Sequence, residues 1–182
     1  MPAIVQRHPR ATLIALLAAI GLVTFGLVWF EPQKLVLEDR VDEDLPGAVA
    51  PAAEAPAAEG AADEVAGGPQ RVASGRFIGL EHQTSGRAVI VQTGDGRRFL
   101  RFEDFRTSNG PDLVVYLSAK RPAGPDDWYG YDGDFVDLGP LKGNVGNQNY
   151  AIPRDVDLER YSTAVVWCRR FTVGFAAAVL EL

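Results

Sequence analysis

The chain has 182 residues, room for one ordinary domain with an appendage and not for two domains of usual size. Apolar residues make up 47% and charged ones 23%, which excludes a wholly disordered chain, and 19 Gly with 12 Pro point to many turns. The net charge of −6 excludes a strongly basic nucleic-acid binder, and it is unevenly placed: residues 31–70 carry ten acids and two bases, whereas residues 71–182 carry fourteen of each.

Residues 1–30 read as a short cytoplasmic stub and a transmembrane helix over 11–30. Ala11 to Phe30 are uncharged and mostly apolar, and at about 1.5 Å per residue a helix of that length covers roughly 30 Å, one hydrocarbon core. A cleaved signal peptide has a shorter apolar stretch followed at once by small residues, whereas Trp29, Phe30, Glu31 and Pro32 close this one. The run is therefore expected to persist as a single-pass anchor in the cell membrane. Arg7 and Arg10 are matched by Lys34 and Arg40 on the other side. The closeness of Arg10 to the helix, with His8 and the amino terminus, favours the amino end inside and the bulk of the chain outside the cytoplasm.

Residues 31–70 are acidic and then rich in Ala, Pro, Glu and Gly, with Leu35, Val36 and Leu37 the only apolar run. Such a segment buries too little surface to offset its ordering entropy, so a disordered tether is expected, with a mean reach of roughly 35 Å.

Residues 71–182 carry short apolar runs separated by turn residues, the pattern of an all-β sandwich or barrel-like domain of about eight short strands. The predicted strands are Phe77 to Leu80, Ala88 to Val91, Arg97 to Phe102, Leu113 to Leu117, Phe135 to Leu138, Tyr150 to Ile152, Thr163 to Trp167 and Phe171 to Phe175. The first two are expected to form a hairpin arrangement with the third. Asp157 to Tyr161 suggests a helical turn, and Phe175 to Leu182 has the only helix-like period of the region. Gly143 to Asn149 reads as a polar turn, where Gly and Asn accept positive φ, and its amides are also candidates for binding a ligand or partner.

Cys168 is the sole cysteine, so no disulfide closes within the chain. The residues alone leave four readings: a small buried apolar side chain, a redox thiol, an intermolecular disulfide partner, or a thiolate ligand to haem iron. A cation beside the sulfur stabilises a thiolate, and in a continuous strand Arg170 would share the face of Cys168. His82, the only histidine of the domain, is either a hydrogen-bonded turn residue or a ligand. Five aspartates, Asp126, Asp127, Asp132, Asp134 and Asp137, lie among Trp128, Tyr129, Tyr131 and Phe135. They lack the bidentate Glu of an EF-hand, so a solvated loop is expected and no metal site. No nucleophile elbow, zinc-type cysteine pair or covalent haem attachment pattern is present, which favours a redox or binding module over a stand-alone enzyme.

In order along 71–182, the domain carries Gly75-Arg-Phe, His82, Leu100-Arg-Phe-Glu-Asp-Phe105, Asn109-Gly-Pro-Asp-Leu-Val-Val-Tyr-Leu-Ser118, Leu138-Gly-Pro-Leu-Lys-Gly143, Gly146-Asn-Gln-Asn-Tyr-Ala-Ile-Pro153, Val166-Trp-Cys168 and Phe171-Thr-Val-Gly-Phe175. Together these resemble the DM-thirteen electron-transfer domain family. The resemblance implies a β-rich fold and a redox role centred on the family's cysteine, which falls on Cys168. The cysteine would act as a bare thiol or as the ligand of a non-covalent prosthetic group such as haem, with His82 opposite. Electron transfer implies redox partner proteins. The competing expectation from the residues is a non-redox surface module that presents Trp128 to Tyr131 to a protein or glycan.

Overall fold

A computed structural model describes residues 9–30, 38–47, 68–124 and 133–181. Two compact units divide the chain, residues 1–37 and 38–182. The first contains helix α1 (Pro9–Phe30), starting two residues earlier than its uncharged run. Arg10–Val28 has a mean hydropathy of 2.5, and the helix is long and apolar enough to cross a membrane. Its Leu, Ile and Val side chains are exposed all round, so it has no polar face to give to water.

The second unit is a two-sheet, sandwich-like β domain, as expected. Ten strands are described: β1 (Arg40–Asp42), β2 (Gln70–Arg76), β3 (Ile78–Gly79), β4 (Ser85–Gln92), β5 (Arg98–Arg106), β6 (Leu113–Ser118), β7 (Phe135–Pro140), β8 (Val145–Ile152), β9 (Thr163–Cys168) and β10 (Val173–Val179). One sheet has the order β1-β8-β5-β4-β2 and the other β3-β10-β9-β6-β7. Every pairing is antiparallel except that of β1 with β8.

The core lies between the sheets. Ala88, Ile90, Leu100, Phe102, Phe105 and Tyr150 from the first sheet meet Leu113, Val115, Leu117, Val166, Cys168 and Ala176 from the second. β6 and β9 are apolar at every position but one because both of their faces are covered. Their alternate residues Val114, Tyr116, Val165 and Trp167 form a second cluster, with Ala177, on the outer face. Phe102 and Phe105 are three residues apart and would point oppositely in a regular strand. A register shift between them, with Asp104 at φ 49°, turns both inward, and their rings lie 4.9 Å apart.

Several expectations are corrected. Residues 38–47 belong to the β domain rather than to the tether, because β1 adds to the edge of β8. Phe77 to Leu80 does not join the hairpin of β4 and β5. β2 flanks β4 instead, and β3 crosses to the other sheet beside β10. Most of the predicted polar turn Gly143 to Asn149 is the first half of β8. The helix-like period after Phe175 is a strand, whose residues Ala176 to Ala178 are buried against neighbours on both faces. Asp157 to Tyr161 does make one helical turn, closed by the Tyr161 amide donating to the Asp157 carbonyl at 2.9 Å.

Candidate functional site

Cys168 is the last residue of β9, placed in register between Leu113 of β6 and Val173 of β10. Its thiol is free and 0% exposed, and it points into the core between the sheets. Strand alternation sets that direction: Ala164, Val166 and Cys168 face inward, Val165 and Trp167 outward. Immediately afterwards the chain turns through Arg169 to Thr172, with Thr172 at φ 56°. The turn breaks the strand alternation that would have placed Arg170 on the face of Cys168. Arg169 is engaged instead with Asp112 at 3.3 Å and Asp137 at 3.7 Å.

His82 lies beyond β3 at the rim of an open cleft of about 710 Å³, lined by Leu80, Glu81, Gln83, Thr84, Arg106 and Ser108 among others. Its Nδ1 is 2.8 Å from the Ser108 hydroxyl, and its ring stacks on Phe175 with centroids 3.8 Å apart. Burial lowers the imidazole pKa from its ordinary value, opposed by the nearby Glu81 carboxylate, so the ring is neutral at neutral pH. Across the cleft floor the Thr84 and Thr107 hydroxyls share a hydrogen bond of 2.8 Å.

Phe175 relates the two candidate residues. It is buried in the same cluster as Cys168 and carries His82 on its ring. It occupies the register shift between Gly174 and Ala176, where β10 holds one residue more than β9 opposes. Gly110 completes this end of the core, since a Cβ there would lie 2.9 Å from both Leu113 and Phe175. Cys168 and His82 are thus not brought together around a shared opening.

Haem held by both residues does not fit this arrangement. Cys168 has no exposed surface and does not line the His82 cleft, whose walls are largely polar. An iron–thiolate bond would require a haem face inside a packed apolar layer. Of the acidic run, Asp126, Asp127, Trp128, Tyr129, Tyr131 and Asp132 lie outside the described residues. Asp134 binds Arg160 at 2.9 Å and Tyr161 at 2.9 Å, which lowers its carboxyl pKa, and Asp137 receives the Gly139 amide at 2.8 Å. Among the described residues no group of three or more His, Cys, Asp or Glu gathers as a metal site.

The polar run at β8 forms a second constellation. Gln148 is 0% exposed, accepts from Tyr150 Oη at 2.6 Å and from the Gly143 amide at 3.2 Å, and donates to the Gly143 carbonyl at 2.9 Å. Asn144 is buried, donates to the Thr107 carbonyl at 3.0 Å and accepts from the Asp39 amide at 2.7 Å. Arg101 on β5 completes the group from beneath and had no signal of its own in the sequence. Burial raises the Tyr150 pKa well above its ordinary range, so its hydroxyl remains a donor.

A family model described as electron transfer DM13 matches residues 76–180. No curated protein and no solved structure matches the chain.

Proposed function

The chain belongs to the electron transfer DM13 family, and we propose that it is a membrane-anchored, extracytoplasmic redox module in which the Cys168 thiol exchanges with a disulfide of a partner protein. The family match over residues 76–180 is the observation that carries the redox class. Support for Cys168 comes from its being the only thiol and from its place at a strand end. Loss of the last β9 pairs would bare the sulfur while the rest of the sandwich stays closed.

In the exchange, the Cys168 thiol gives up its proton and attacks one sulfur of the partner disulfide. A new S–S bond joins Cys168 to that sulfur, the partner's S–S bond breaks, and the other sulfur leaves as a thiolate that takes up a proton. In resolution, a thiol of the partner or of a third protein loses its proton and attacks the partner's sulfur of the mixed disulfide. A disulfide forms between those two sulfurs, the bond to Cys168 breaks, and Cys168 leaves as a thiolate that takes up a proton. The neighbouring turn offers the contact surface: Phe171 is 56% exposed and is, among the described residues of the domain, the only large apolar side chain so placed.

The anchor reading rests on α1 and its bare apolar surface. Protease added to intact cells is expected to remove the domain, and protection of the domain would refute the orientation. For the thiol, the full chain in detergent is treated with an aromatic disulfide reagent and the release of one equivalent of product is timed against hydrogen exchange of β9. Release faster than global unfolding, and absent in Cys168→Ala, supports the reading. Reaction only at the global unfolding rate makes Cys168 a core residue and removes it from the mechanism.

A further inference from the structure

Residues 38–47 carry five acids, Glu38, Asp39, Asp42, Glu43 and Asp44, against the single base Arg40. They lie outside the family match, yet the seat they occupy is built from residues inside it. Arg101, 7% exposed, donates through Nη1 to the carbonyls of Glu43 at 3.0 Å and Asp44 at 3.1 Å. Lys142 and the Asn149 amide hold the two Glu43 carboxylate oxygens, each at 2.7 Å, and Asn147 donates to Asp42 at 2.6 Å. Arg106 pairs with Glu38. Beneath the strand only glycine fits: a Cβ at Gly143 would strike the Asp39 carbonyl and sit 2.8 Å from Val41, and one at Gly146 would strike the Val41 carbonyl.

This seat is specific, but little of its hold comes from apolar burial. Val41 and Leu45 are the larger apolar residues of the segment, and neither is fully buried. The Lys142–Glu43 and Arg106–Glu38 pairs are both substantially exposed. Exposed ion pairs are weak and screened by salt, and a three-residue edge strand opens well below the energy of global unfolding.

We propose that residues 38–47 are a releasable strap that sets how far the redox domain can reach from its membrane helix. Docked, the strap leaves seven residues, 31–37, between it and the helix, with a contour of at most about 25 Å. Released, the connection is 31–69, with a contour of at most about 140 Å. High salt favours release, because opposite charges meet across the seat. The carbonyls of Glu43 and Asp44 then go to water, and Arg101 keeps Glu103 at 3.2 Å and Asn149 at 2.9 Å.

The inference rests on the anchor reading but not on the redox chemistry, so it is tested in a Cys168→Ala background. Hydrogen exchange is followed on the full chain in lipid nanodiscs at the Glu43 amide, which donates to the Asn147 carbonyl at 2.9 Å. It is expected to exchange at least 10-fold faster than β9 amides and to speed further between 0.05 and 0.5 M salt. Gly143→Ala should speed it at least another 10-fold while β9 stays protected, and Lys142→Ala provides the same test should that variant not fold. Asp42→Cys with Asn147→Cys should latch the strap as a disulfide, and a fluorophore on the domain should then be quenched more strongly by lipid-headgroup quenchers than in the reduced protein. Exchange of Glu43 in step with β9, or quenching unchanged by the latch, overturns the proposal. Failure of the chain to travel with the nanodiscs refutes the anchor instead.

Discussion

Strands β9 and β1 are each held in register by a neighbour, yet opposite physics holds them. β9 is buried at all six positions and its end residue Cys168 sits in an apolar layer. β1 has only Val41 partly covered and is held by its pairing with β8 and by Asn147, while Arg101, Lys142 and Asn149 hold Glu43 and Asp44 just beyond it. Apolar burial is not weakened by ionic screening and depends little on pH, whereas a seat of ions and amides responds to both. The thiol is thus kept by a part of the molecule that changes little with its surroundings, and the length of the connection by a part that changes readily.

The largest test of this contrast is a charge placed at each strand. Val166→Asp puts a carboxylate between the sheets and is expected to destabilise the domain by roughly 4 kcal/mol or more, enough to unfold it. Val41→Asp should leave the melting temperature within a few degrees while loosening the strap. Circular dichroism melts of the full chain in detergent separate them, and similar losses for both would make β1 part of the cooperative core.

A smaller effect is expected at the thiol. Cys168→Ser adds a hydroxyl with no partner to a dry layer and should cost about 1–3 kcal/mol in urea unfolding, more than Cys168→Ala. A neutral Ser variant would indicate water or an opening at this position. Between the two regions lies Tyr150, in the core cluster and bonded to Gln148 below the β8 seat. Tyr150→Phe should cost about 1–2 kcal/mol by the same measurement, since Gln148 keeps its bond from Gly143 while the Lys142 amide loses the Tyr150 hydroxyl as acceptor.

The finest test is titration of Glu43. Burial pushes its carboxyl pKa up, but the Lys142 ammonium and the Asn149 amide pull harder, and the net shift is downward from 4.5. A carboxyl lowered by docking stabilises the docked form above its undocked pKa, and that contribution is lost as pH falls through the docked value. Carbon-13 titration of the Glu43 side chain should therefore give a midpoint below the ordinary glutamate value, and Lys142→Ala should raise it. An ordinary midpoint in the parent chain would mean that the strap is already released.

Where burial follows chain-local pattern, the sequence alone was enough. Ala11 to Phe30 is apolar all round and forms a helix, and Leu113 to Leu117 and Thr163 to Trp167 are apolar on both faces and form the two strands covered on both sides. The residues allowed Cys168 to be a small buried apolar side chain beside Trp167, one of four readings, and the family motifs singled it out as the redox cysteine. What lay beyond reach depends on contacts between distant segments. Gly143 to Asn149 has the composition of a turn, and from Val145 onward it is a strand because it pairs with β5 on one side and receives β1, about 105 positions away, on the other. The acidic segment resembles solvent-exposed linker for the same reason: its partners are polar groups elsewhere, and no local periodicity encodes them. The inward turn of both Phe102 and Phe105, and the place of Phe175 between His82 and the core, follow from register shifts where one strand holds an extra residue. Side-chain alternation is a property of one chain, while register belongs to a pair, so only the assembled sheets could decide it.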